Sequence, residues 1–289
     1  MATKKTTTAD AEISIVTLTE GEIRFCILGT SPLIQNRMTE KARQELLMPR
    51  KKTAADRAGS LKHDPIAEFR SSPYRMANPE APTLLALLPT MFKQAMGTAA
   101  LRTPGAKKTE IQQLVRVDWD KMPVFGVPKI FSAITRSADM NKTPDVRTRA
   151  ILPEWACVLT VRFQVPILNE QTIANLLAAA GRISGVGDWR QEKGSGSFGA
   201  FTLVDAKNPD FVRICKTGGR AAQEAALAHP EPYDDETSEL ISWFMAESQK
   251  RGHKATGADS DDETEVETVA PKAPAARKTR TNGSGAHVQ

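Results

Sequence analysis

Along residues 22–28, Ile23, Phe25 and Ile27 alternate with Arg24 and Cys26, the period of two expected of a half-buried strand. Gly29 and Pro32 end it. Residues 39–48 place their apolar positions as a short amphipathic helix does, with Thr39 as its N-cap. Residues 49–82 are basic and interrupted by proline, and so long a connection inside a domain is often a functional loop. A short apolar strand is predicted over 83–88, followed by a helix that opens at Pro89 and runs to Leu101. Further strands are predicted over 114–117, 124–127 and 129–135, then a polar loop over 136–148.

The clearest strand of the chain is 156–165. A helix over 169–182 follows, with Asn169 as N-cap and Glu170 in its first turn. A glycine-rich loop, 185–199, leads into a strand over 200–204. Two more helices are predicted over 220–227 and 236–250, the second with Leu240, Ile241, Phe244 and Met245 on one face. The order is that of an α+β fold, and the unit 156–204 resembles one half of a ferredoxin-like βαβ pair. The chain divides into a flexible arm (1–11), a core (12–205) carrying the basic insertion 49–82, a helical extension (206–251) and a tail (252–289). The tail's composition cannot offset the entropy of ordering, so disorder is predicted there.

Composition changes this picture through charge. The 289 residues are 40% hydrophobic and 25% charged, with a formal net charge of +5. That average hides a division. Residues 31–75 hold ten Lys/Arg against five Asp/Glu, and 90–150 hold eleven against five, whereas 228–267 hold twelve acids against three bases. A basic body with an acidic C-terminal stretch points to a polyanion, with a tail able to compete for the same surface. Cys26, Cys157 and Cys215 are odd in number, far apart in sequence and in apolar settings, which suggests reduced thiols. With neither a secretion signal nor an apolar run long enough for a membrane helix, a cytoplasmic protein of a bacterial cell is expected.

The candidate chemistry starts in the glycine loop. Gly194-Ser195-Gly196-Ser197-Phe198-Gly199 formally matches the dinucleotide fingerprint, but here a helix precedes the loop and a strand follows it. The fingerprint needs the reverse order, so neither a nicotinamide nor any other cofactor is expected. The loop also carries Trp189, Arg190 and Lys193. A tryptophan among glycines can stack on a base while the cations neutralise phosphate. Alternatively, Trp189 packs back onto the core. Arg136, Lys142, Arg147 and Arg149, with Ser137, Asn141 and Thr143, suit phosphate contact, or form a solvated loop partnered by Asp139 and Asp145. Arg50, Lys51 and Lys52 make a cationic run in the insertion, and Arg37 and Lys41 are expected at a sheet edge. Phe69 and Tyr74, beside Arg70 and Arg75, either stack bases or anchor a loop. The four histidines have no metal-ligand spacing, and no Ser/His/Asp or Cys/His arrangement can be assembled. His63 alone is placed in the body to act as a general base, or is a solvated loop histidine. Asp234, Asp235 and Glu236 stand where a helix begins and favour its dipole.

Three segments together resemble the RAMP superfamily of ferredoxin-like RNA-binding proteins, best known as CRISPR effector subunits. Residues Ile23-Arg24-Phe25-Cys26-Ile27-Leu28-Gly29-Thr30-Ser31-Pro32-Leu33 are like its opening strand and turn. Leu88-Pro89-Thr90-Met91-Phe92-Lys93-Gln94-Ala95-Met96 is similar to its strand-to-helix junction. Gly185-Val186-Gly187-Asp188-Trp189-Arg190, ending at Gly196-Ser197-Phe198-Gly199-Ala200-Phe201, looks like its glycine loop. The third segment is stretched by 191–195, and Thr90 stands where serine is common. Within the superfamily the likeness is to backbone subunits that polymerise along guide RNA, and also to proteins carried by bacteriophages. It implies RNA across a ferredoxin-like palm, facing Lys93, Trp189, Arg190 and Lys193, with copies side by side and the basic insertion as a finger or thumb. The expected function is non-catalytic coating of single-stranded RNA or DNA. The alternatives are a phage structural or assembly protein and a metal-independent endoribonuclease.

Overall fold

Ile23, Phe25 and Ile27 turn inward from a strand longer than its alternating centre, β1 (Thr19–Gly29). In the computed structural model, which describes residues 16–48, 63–117, 121–136, 144–193 and 196–252, β1 lies one strand in from an edge of the main sheet. It pairs antiparallel with β9 (Ala156–Val165), from Thr19 opposite Val165 to Leu28 opposite Ala156. On its other side it pairs antiparallel with β10 (Phe201–Val204). Beyond β9 come β6 (Met122–Phe125), β4 (Leu85–Leu87) and β3 (Tyr74–Arg75), and β5 (Val115–Val117) also runs beside β9. The strand order is β10-β1-β9-β6-β4-β3, and every pairing in it is antiparallel. A second sheet, β2-β8-β7, joins β2 (Leu33–Gln35), β7 (Lys129–Arg136) and β8 (Pro144–Leu152).

Eight helices are present among the described residues. α1 (Glu40–Leu47) starts at Thr39, whose hydroxyl accepts from the Ala42 amide, the cap anticipated from sequence. α3 (Pro89–Ala100) and α5 (Glu170–Ile183) pack on one face of the main sheet. There Phe92, Met96, Ile173 and Leu177 meet Phe25, Ile27, Leu159, Val161 and Phe163. Asn169 caps α5 by accepting from the Thr172 amide at 2.9 Å.

Several elements depart from the sequence reading. α2 (Pro65–Ser71) and β3 lie inside the segment expected to be loop, because Asp64 caps the helix at two amides and Phe69 is fully buried beneath it. Phe69 is therefore an anchor. Of the polar loop predicted over 136–148, Arg136 ends β7 and β8 begins at Pro144, so both ends are strand, and residues 137–143 lie outside the described residues. Val146, Thr148 and Ala150 extend β8 as a strand against β7, and Arg147 and Arg149 sit on that strand. α4 (Lys108–Leu114) has no counterpart in the sequence reading. Nor has α6 (Pro209–Thr217), despite its start signal of asparagine followed by proline: Asn208 accepts from the Phe211 amide at 3.1 Å.

α6 covers part of the opposite face of the sheet, where Phe211 and Ile214 pack on Cys26, Leu28, Val158 and Val204. α7 (Arg220–Ala228) brings the buried Gln223 to the sheet edge. Its side-chain oxygen accepts from the Leu84 and Leu85 amides, and its nitrogen donates to the carbonyls of Val124, Gly126 and Gly218, all at 2.8–3.1 Å. α8 (Asp235–Lys250) lies against β7, where the Ser132 amide donates to the Thr237 hydroxyl. Asp234 caps it by accepting from the Thr237 amide at 2.8 Å, the helix-start role expected of that acidic run. The predicted arm and tail lie outside the described residues. No helix among the described residues is long and apolar enough to cross a membrane.

Candidate nucleic-acid interface

The turn after β1 and the glycine loop are two distant segments that the fold joins into one layer. Thr30 and Gly199 amides donate to the carbonyls of Ala200 and Pro32 at 2.9 and 2.8 Å, and the Asp188 amide donates to Ile34 at 2.9 Å. Inside the loop the Val186 amide donates to Gly199 at 2.9 Å, so the loop's two strands close on each other. That closeness explains two glycines. A methyl group on Gly196 would lie 1.6 Å from the Trp189 carbonyl oxygen, and one on Gly199 would lie 1.7 Å from that of Val186. Gly199 also has φ 72°, a conformation that favours glycine.

Trp189 is held where a bulky residue is uncommon. Its φ is 48°, and such a backbone costs about 1–2 kcal/mol and persists only where its surroundings enforce it. Here they do, because its indole joins an aromatic cluster whose other rings are distant in sequence or at the far end of the loop. Phe131 of β7 meets it edge-on at 6.0 Å between centroids, and Phe198 lies 6.2 Å away. Phe131 also contacts Tyr233 at 5.7 Å. All four rings are only half-buried. Trp189 thus packs onto the body, as one of the two sequence readings held, yet keeps part of its surface open.

Two arginines of β8 border these rings. Ile34, Phe131, Arg147, Arg149 and Trp189 line one cleft, too narrow in this state to admit a water molecule. Arg149 is nearly buried and reaches the Asp188 carboxylate at 3.2 Å. Burial lowers its pKa; Asp188 opposes that shift and Arg147 adds to it. Arg147 is half-exposed, with its Nε on Asp145 at 3.0 Å.

The other residues singled out from sequence fall into three groups. Arg190 turns into its own loop, donating to the Gly187 carbonyl at 3.0 Å and to Glu192 at 2.8 Å. Glu192 also accepts from Thr98 of α3 and from Ser184, which ties the loop to two helices. Lys93 lies half-buried in the first turns of α3, next to Phe92, whose ring meets Phe201 at 5.4 Å where the loop exits. Arg37 follows β2, the edge of the smaller sheet, and its charge adds to burial in lowering the pKa of Arg75. Arg136 ends β7 and Lys193 ends the 3-10 turn Gln191–Lys193, but their side chains, like that of Lys41, are outside what the structure describes. Arg50, Lys51, Lys52 and Lys142 lie outside the described residues.

Three members of the cluster are not singled out by sequence alone. Phe198 reads only as part of the glycine motif, Phe131 only as part of a strand, and Tyr233 only as a residue before a helix. What unites them is the pairing of β7 with β8 and the approach of the segment before α8, where the Tyr233 amide donates to the Ile130 carbonyl at 2.9 Å.

Catalytic arrangements are poorly served. His63 has Nδ1 2.6 Å from Glu68 and Nε2 2.9 Å from Asp145. With both ring nitrogens on carboxylates, neither faces a substrate hydroxyl. Cys26 and Cys215 come together under α6; burial, with Cys26 adding to it, pushes the Cys215 thiol up to about 11. No group of three or more His, Cys, Asp or Glu among the described residues could hold a metal ion.

No protein-family model matches this sequence, and no curated protein matches it. Function is therefore read from the geometry of the site itself.

Proposed function

We propose that the chain binds single-stranded RNA or DNA without cleaving it, on the surface where the glycine loop meets the β7–β8 hairpin. The observation that carries this reading is the cluster of four half-buried aromatic rings bordered by Arg147 and Arg149. An unpaired base offers a π-face to any such ring, and the neighbouring cations neutralise its phosphates. A duplex hides those faces, so the surface favours single strands. In this reading Phe131, Phe198 and Tyr233 join Trp189 as stacking residues, Arg147 is the principal phosphate contact and Arg190 holds the loop's shape. Lys93, at the loop's exit, extends the track.

The proposed architecture is a ferredoxin-like, RAMP-like core in a cytoplasmic protein of a bacterium or its phage. Supporting it are the antiparallel order β10-β1-β9-β6 and the helices α3 and α5 on one face. The hydrogen bonding between the Thr30–Leu33 turn and the glycine loop adds support, since it joins two of the three segments that carry the resemblance. The engagement of both His63 nitrogens favours binding over cleavage. Copies lie side by side on the strand.

The test is competition. Full-length protein is bound to a labelled single-stranded oligonucleotide and challenged with unlabelled single-stranded RNA, single-stranded DNA or duplex. Displacement by single strands at much lower concentration than by duplex is expected. Equal displacement by duplex would reduce the site to a charged surface, and no binding at low salt would end the reading.

A further inference from the structure

Trp243 is 61% exposed on α8, an unusual position for a residue so costly to leave in water. It stands in an outward stripe with Glu236, Glu239 and Ala246, all exposed, at the three- and four-residue spacing of one helix face. The inner face of the same helix is occupied by Thr237, Ile241, Phe244 and Ser248, so Trp243 is not part of its packing. The stripe is an aromatic knob with acidic neighbours.

The connection from α3 to α4 offers its complement. An open hollow of about 570 Å³ is lined by Ala100, Leu101, Arg102, Pro104, Lys107 and Lys108. Its lining combines exposed apolar surface, Leu101 being 63% exposed, with the cations Arg102, Lys107 and Lys108. Among the described residues neither Arg102 nor Lys108 has an ion-pair partner, while Lys107 shares Glu110 at 2.8 Å. Open as it is, the hollow has the volume to receive one aromatic side chain.

We infer that Trp243 of one copy docks in the α3–α4 hollow of the next, with Glu236 and Glu239 meeting Arg102 and Lys108. Knob and hollow are different surfaces, so the contact is heterologous and a pair of copies keeps one knob and one hollow free. Such contacts propagate head to tail, into a ring if the rotation closes and an open filament if it does not. The buried aromatic holds the contact together, and the charges set register and encounter rate. This inference rests on the side-by-side part of the proposed function and not on its ligand.

The experiment is sedimentation velocity of the full chain without nucleic acid, over a wide concentration range, so failure here leaves the ligand site untouched. Wild type is expected to form a concentration-dependent series. Trp243→Ala, exposed and so tolerated by the fold, is expected to weaken association by about thirtyfold or more, as loss of an interface hot spot does. Arg102→Glu with Lys108→Glu is expected to do the same. Mixing the two defective proteins then leaves one working knob and one working hollow, and gives heterodimers that stop at two copies. A wild type that stays monomeric, a Trp243→Ala protein that assembles like wild type, or a mixture that remains monomeric would each overturn the inference.

Discussion

Two surfaces of this protein carry arginine, and they use it differently. On the outer face of the main sheet, Arg162 lies directly opposite Glu22 and bonds to it at 3.1 Å, while Arg116 and Arg162 both reach Glu20. This is a cross-strand charge ladder with acid and base interspersed, and α6 covers the rest of that face. On the loop–hairpin surface, Arg147 and Arg149 border aromatic rings instead. There Asp145 pairs with Arg147 at 3.0 Å and Asp188 with Arg149 at 3.2 Å. Arginine count alone therefore does not locate a polyanion site. Both sets are ion-paired, and what distinguishes the loop–hairpin arginines is the half-buried aromatic rings beside them.

The loop–hairpin surface is most vulnerable at Gly196. Gly196→Ala would force the Trp189 carbonyl away from a methyl group 1.6 Å off. We expect a loss of about 1–3 kcal/mol in stability, typical of overpacking, together with loss of binding. Gly252→Ala, with nothing within 4 Å, is the control: its own positive φ costs stability but leaves binding intact. Chemical denaturation alongside a binding titration separates the two.

Trp189→Ala should weaken binding by about 1–3 kcal/mol, the worth of one stacked base. Trp189→Gly removes the same ring but also relieves the left-handed backbone, so it should be the more stable of the two by about 1 kcal/mol. Equal stability would mean the φ of 48° stores no strain.

How far the sequence led is clearest at these residues. Alternation along 22–28 and 156–165 reveals two inner strands, because each presents alternate residues to the two sides of the sheet. Thr39, Asn169 and the acids before α8 mark helix starts, since capping is local chemistry. The glycine loop is recognisable in the sequence, but its architecture is not. Gly196 and Gly199 are explained by carbonyls they approach only once the loop has closed on itself. The aromatic cluster is illegible for a similar reason: Phe131, Trp189, Phe198 and Tyr233 meet only once the closed loop and the segment before α8 have come up to β7. The hairpin resembles a solvated loop because of Asp145, Arg147 and Arg149, whereas alternate positions along it point inward.

A smaller effect is expected from acid. Burial raises the Glu192 carboxyl, but hydrogen bonds from Arg190, Thr98 and Ser184 outweigh it and hold its pKa below the usual range. Its stabilising contribution is therefore present above the ordinary carboxylate range and lost as pH falls through the depressed value. Glu192→Gln should lower stability at neutral pH and flatten the decline between neutral pH and about pH 3. Melting curves across that interval test it, and an unchanged pH slope would count against the tie.

The smallest effect belongs to the outer face. Arg162→Gln removes exposed ion pairs and should change stability by less than about 1 kcal/mol. It should leave binding alone.

Salt dependence of binding decides between the two arginine surfaces. Wild type, Arg147→Gln and Arg162→Gln are titrated against one labelled single-stranded oligonucleotide by fluorescence anisotropy across a salt series. We expect affinity to fall steeply and linearly with salt on logarithmic axes, because bound phosphates release their counterions. The slope should be reduced by about one in Arg147→Gln, where one phosphate is left without its cation, and unchanged in Arg162→Gln. A slope that moves with Arg162 and not with Arg147 would put the ligand on the outer face of the sheet and refute a site on the loop–hairpin surface.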